Sequence, residues 1–129
     1  MSKLIAKGIY QHGYDNLEFT LPVILFNEGT TMIAYCPLLD LSGYGIDETS
    51  AKDSFRIVLG EFINYALEHD TFESELKRLG WKVSTGKTRI RKVEMPDISN
   101  VFSKNPKVHS LMKHGSFQKY DERVSIPVH

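Results

Sequence analysis

The chain reads as an α+β protein: a three-stranded antiparallel meander and a long helix, followed by a short helix, a hairpin and a C-terminal helix–helix–strand tail. Three observations predict this. Residues 17–46 hold three strand-like runs separated by turn residues. Residues 51–67 carry apolar side chains at helical spacing. Beyond residue 82 the elements shorten, with Pro and Gly between them. The organisation expected is a main domain over residues 1–83 and a basic hairpin with a docking tail over 84–129.

Residues 17–26 (LEFTLPVILF) form a buried strand, in which Pro22 lacks a ladder donor and should sit at a start, a bulge or an edge. Asn27, Glu28 and Gly29 make the turn to a second strand over 30–36, which Pro37 ends. Residues 39–46 give the third strand, where Gly43 and Gly45 permit a bend or a close backbone approach. Strands this near in sequence pair most simply as a meander.

Asp47 is a good N-cap for the long helix. Ser50 stands where a Glu often completes the capping box, which is expected to weaken the first turn slightly. Ala51, Phe55, Val58, Leu59, Phe62 and Ala66 share one stripe, so this helix should cover one face of the sheet. Asp70 or Thr71 caps a second helix that Gly80 stops, and Trp81 anchors its exit. A hairpin over 82–93 turns at residues 84–87. Asp97 and Asn105-Pro106 begin two short helices that could not stand alone and must dock. Val124, Ile126 and Val128 alternate with polar residues as in a half-buried strand, and Pro127 suggests an edge.

At 129 residues the chain can bury a real core. Its 41% hydrophobic and 25% charged residues are ordinary for a globular protein. No apolar run approaches the ~18 residues of a membrane span, and residues 1–15 lack the apolar core of a secretory signal. One cysteine, Cys36, forms no intrachain disulfide and suits a reducing compartment. The expectation is a cytoplasmic protein. The net charge of zero conceals an asymmetry: residues 1–80 hold six Lys/Arg against twelve Asp/Glu, and residues 81–129 hold ten against four. Such a chain can offer an acidic face to a basic protein and a basic face to nucleic acid, or pair its halves internally.

No enzyme signature stands out. Cys36 has no His or cation beside it in sequence to activate the thiol, and reads as a buried structural residue. The five histidines offer no metal-ligand spacing, and no phosphate-binding glycine loop exists. No metal or other cofactor is expected. Asp40, just before Gly43 and Gly45, reads first as an organiser of its own turn. Lys82, Lys87, Arg89, Arg91 and Lys92 crowd one hairpin with no acid among them, and are the candidate nucleic-acid contacts. A solvated hairpin is the plainer explanation of them. No aromatic residue separates them to stack on bases.

Several segments together resemble the HicB-like antitoxin family: LPVILF at 21–26, IAYCPLLDLSGYG at 33–45, the helix with Ala51, Phe55, Leu59 and Tyr65, and TFESELKRLGW at 71–81. Residues 98–102, 105–112 and RVSIPV at 123–128 look like the tail of one version of that family. The order and spacing of these segments carry the likeness, over residues 15–83 above all. The resemblance implies a truncated RNase H-like β-β-β-α unit without that fold's catalytic carboxylates. It also implies a partner, a small HicA-type toxin that cleaves RNA, and in many members operator binding as an oligomer through a ribbon–helix–helix or helix–turn–helix module. This chain departs from that pattern. Its two late helices are only about two turns each, too short for a standard DNA-binding dimer unit.

The leading expectation is an antitoxin-like, non-enzymatic protein-binding module that neutralises its toxin. Tyr35, Asp40, Tyr44, Val124 and Ile126 are the candidate residues of that interface or of an oligomer interface, with core packing the plainer explanation for Tyr35 and the tail residues. The alternatives are an operator-binding regulator and an orphan oligomeric scaffold, a homodimer or higher, joined through a sheet edge.

Overall fold

The computed structural model describes residues 4–5, 8–10, 16–85 and 90–127. In chain order the elements are β1 (Leu4–Ile5), β2 (Gly8–Tyr10), β3 (Asn16–Glu28), β4 (Thr31–Cys36), β5 (Leu41–Gly45), α1 (Glu48–Glu68), α2 (Phe72–Arg78), β6 (Lys82–Thr85), β7 (Ile90–Glu94), α3 (Ile98–Lys104), α4 (Pro106–His114) and β8 (Phe117–Pro127). They form an α+β protein with two antiparallel sheets, ordered β5-β4-β3-β8 and β1-β2-β7-β6.

The meander β3-β4-β5 turns first at Gly29, whose φ of 63° suits glycine. The sheet is not three-stranded. The last strand, β8, returns to pair with β3 from Asn16↔Pro127 to Phe26↔Phe117, so the C-terminal tail completes the main sheet. β4 pairs with Ile24 to Glu28 along one edge of β3, and β8 pairs with Asn16 to Phe26 along the other. Pro22 sits inside β3 rather than at its start. It lies beyond the β4 ladder and opposite Asp121 of β8, where one missing donor costs little. The third strand also begins later than its sequence suggests. Residues 37–40 are a turn, with Leu38 and Leu39 buried and Asp40 at a φ of 55°.

Alternate side chains of β3 point to opposite faces, and each face is covered. Leu17, Phe19, Leu21, Val23 and Leu25 meet Ala51, Phe55, Leu59, Ile63 and Ala66 of α1 in the main core. Val124 and Ile126 of β8 belong to the same core. On the other face Ile24, Phe26, Ile33 and Tyr35 pack against Val108 of α4, with Phe102 and Leu111 at the margin. The two late helices therefore dock on the sheet.

Gly43 is where β5 meets α1. A Cβ there would fall on the backbone nitrogen of Phe55 and 2.8 Å from the Ala51 carbonyl, so only glycine lets strand and helix approach this closely. Trp81 closes the exit of α2. Its indole Nε1 donates to the Leu38 carbonyl at 3.0 Å, and its ring stands edge-on to Phe19 at 5.5 Å.

Candidate functional site

Charge and exposed apolar side chains divide between the two faces of the sheet. On the α1–α2 side every cation of the two helices is drawn into an ion pair: Lys52 with Glu48, Arg56 with Asp53 and Glu122, Lys77 with Glu73, and Arg78 with Glu75. Glu61, Glu68 and Asp70 have no ion pair among the described residues and stand exposed. Ile57 and Tyr65 of the same helix are 63% and 64% exposed, although α1 buries its opposite stripe. An acidic helix with bare apolar anchors is suited to gripping a cationic surface.

The α3–α4 side is basic. Residues 98–120 contain Lys104, Lys107, Lys113 and Lys119 and no Asp or Glu. Lys104, Lys107, His109 and Lys113 are exposed. An open groove beside these helices has Met95, Phe102, Val108 and Met112 in its wall and takes in both Lys104 and Lys82. Lys82 is thus the candidate cation of the hairpin that the fold carries to the α3–α4 surface. Arg91 and Lys92 lie on β7. Lys87 and Arg89 fall outside the described residues, as does Val128.

Tyr35 ties the basic helices to the sheet. Its hydroxyl donates to Asp40 Oδ1 at 2.9 Å and accepts from Asn105 Nδ2 at 2.8 Å. The carboxamide oxygen of Asn105 accepts from the backbone nitrogens of Lys107 and Val108, capping α4. One asparagine therefore starts the helix and fastens it. Burial, followed by the Asp40 hydrogen bond and charge, pushes the Tyr35 hydroxyl up to about 12, partly offset by the Asn105 bond. Lys107 Nζ lies 4.6 Å from the centre of the Tyr35 ring.

The candidate residues scatter over this framework. Tyr35 is 2% exposed, and Val124 and Ile126 are core. Asp40 and Tyr44 reach solvent, Tyr44 being 57% exposed. Tyr35 and Asp40 are joined by a hydrogen bond. Cys36 is fully buried, and desolvation pushes its thiol up to about 12, away from nucleophile chemistry. Among the described residues no three His, Cys, Asp or Glu side chains gather as a metal site. The cap at Asn105 is legible in the sequence; the acid-free run 98–120 is a further signal that the hairpin cations do not include.

No helix among the described residues is long and apolar enough to cross a membrane. Comparison with protein-family models, with curated proteins and with solved structures yields no match.

Proposed function

We propose that this protein is an antitoxin-like binding module that neutralises a small, basic, HicA-type RNA-cleaving toxin in the cytoplasm, with no catalysis of its own. The observation that carries this reading is the outer face of α1. It sets exposed Ile57 and Tyr65 among the unpaired carboxylates Glu61 and Glu68. Complementary charge speeds the encounter, and the apolar anchors supply the affinity. Tyr44, exposed on the opposite face from the helix, belongs to a separate patch. The segment likeness at 21–26, 33–45 and 71–81 supports the same class of protein and a HicB-type sheet.

The test is co-purification with a small basic protein encoded beside this one. Binding that a Tyr65→Ser, Ile57→Ser double variant weakens about a hundredfold or more supports the reading. A neighbour that does not bind at micromolar concentration, or binding indifferent to that variant, removes it. A second reading, a nucleic-acid-binding regulator, is favoured by the exposed lysines of α3 and α4, on a stretch with no Asp or Glu from 98 to 120.

A further inference from the structure

The main sheet has two edges, and they differ. At one end β5 is five residues long, contains two glycines and lies under α1. The backbone N–H of Tyr44 is already taken by Ser54 Oγ at 3.0 Å. That edge is closed by the protein's own helix. At the other end β8 runs eleven residues in register with β3, without a bulge, and ends the sheet order. Proline enters it only at Pro127. Of the usual protections of an edge, shortness, bulges and internal proline are absent along its described length, while charged side chains, which can also guard an edge, are present. They form a patterned row.

On the α3–α4 face β8 presents Phe117, Lys119, Asp121, Arg123 and Ser125, all exposed. On the α1 face it presents Gln118, Tyr120 and Glu122 before the core residues Val124 and Ile126. A second copy pairing antiparallel across a twofold axis can choose among registers. Centred on residue 119, 121, 122 or 123, the strands set Lys, Asp, Glu or Arg directly against its own copy, which is unfavourable. Centred on residue 120, Lys119 and Asp121, which already lie 3.6 Å apart as an ion pair within one chain, face Asp121 and Lys119 of the other copy on both sides of the axis, so four charges alternate in sign. Arg123 then faces Phe117, and Glu122 faces Gln118. Registers centred on residue 118 or 124 also avoid like charges, but only this one adds opposite charges across the axis without setting like charges together.

We propose that the protein is a homodimer joined through antiparallel pairing of β8 with β8 of a second copy, with Tyr120 on the twofold axis. The two four-stranded sheets become one of eight. Antiparallel pairing keeps like faces together, so both α1–α2 layers lie on one side and both α3–α4 layers on the other. The dimer is a two-sided plate, acidic on one surface and basic on the other. The inference rests on the edge alone and needs no toxin.

The test is sedimentation of the full chain with charge-swapped variants at exposed positions. Lys119→Asp and Asp121→Lys each place like charges across the axis twice, and each should weaken dimerisation on the order of 30-fold. Combined in one chain, they restore opposite charges and should restore the dimer. A Tyr120→Cys variant should form an intermolecular disulfide on mild oxidation, because directly opposed strand residues lie within bridging range. Arg123→Cys, far from the axis, should not. A chain that stays monomeric at high micromolar concentration, a dimer indifferent to the single swaps, or a double variant that remains monomeric overturns the proposal. The charge variants decide the matter even if Tyr120→Cys fails to fold, and circular dichroism confirms that each one is folded.

Discussion

Asp47 and Ser50 hold each other across the first turn of α1. The Asp47 side chain accepts from the Ser50 backbone nitrogen at 2.8 Å, and Ser50 Oγ accepts from the Asp47 nitrogen at 3.2 Å. The box expected to be incomplete is therefore complete, because a serine hydroxyl can reach back as a glutamate would. The backbone bond from Ser50, joined by its hydroxyl, holds the Asp47 carboxyl below its ordinary range. A depressed carboxyl stabilises the fold above its unfolded pKa of about 3.9 and loses that contribution as the pH falls through its lower folded value. Asp47→Ala should thus lower the melting temperature at pH 7 and lower it less as the pH falls through the acid range, which thermal melts over a pH series will show. The opposite sign holds for Tyr35. Its raised hydroxyl contributes fully below about pH 10 and the contribution fades as the pH climbs towards about 12. Cys36 and Tyr120 are raised by burial too, so alkaline unfolding should begin near pH 9 and be milder in Tyr35→Phe. At neutral pH that variant gives up two hydrogen bonds and should cost about 1–2 kcal/mol in denaturant unfolding. Gly43→Ala should cost more, about 3 kcal/mol, since backbone atoms of Phe55 and Ala51 stand in the way of its Cβ.

Elements announced themselves in proportion to their length. α1 was legible from its stripe of Ala51, Phe55, Leu59 and Ala66, a period that survives any tertiary context. The helices α3 and α4 were legible from their caps, Asp97 and Asn105, each accepting the backbone bonds expected of it. The pairing of β8 was not legible. Its alternation of Val124 and Ile126 with charged residues predicts a half-buried strand, but nothing local says which strand it joins, and its contact with β3 spans most of the chain. For the same reason Tyr35 could be read as a surface anchor. Its partner Asn105 lies seventy positions away, beyond any periodicity. A direct consequence concerns the tail. β8 supplies two core residues and the whole second ladder of β3. A chain ending at Gly115 should therefore lack a cooperative melt and the near-ultraviolet signal of Trp81, whereas a tail that merely docks would leave both in place.

Across the whole molecule the sheet acts as a partition. The acidic helix α1 and the basic helix α4 lie on opposite faces, while α3 reaches both cores, through Ile98 and Val101 on the α1 side and Phe102 on the α4 side, so the charges that cancel in the total of zero do not cancel evenly in space. Two independent surfaces should then respond to two independent sets of substitutions. Lys104, Lys107 and Lys113 are exposed on a stretch free of acids, and a polyanion laid along them would release about one counterion per phosphate neutralised. Replacing all three with alanine should weaken salt-sensitive binding to duplex DNA. If they are the contacts, the slope of log affinity against log salt should shrink by about three. The same triple variant should leave binding of a basic protein partner intact, because the grip proposed for it is on Ile57, Tyr65, Glu61 and Glu68 of α1. Conversely, Glu61→Lys with Glu68→Lys should weaken the protein partner and spare DNA. Fluorescence anisotropy over a salt series, run on both variants, measures each effect. Equal loss of both activities in either variant would mean that the faces are coupled through something other than the rigid sheet between them.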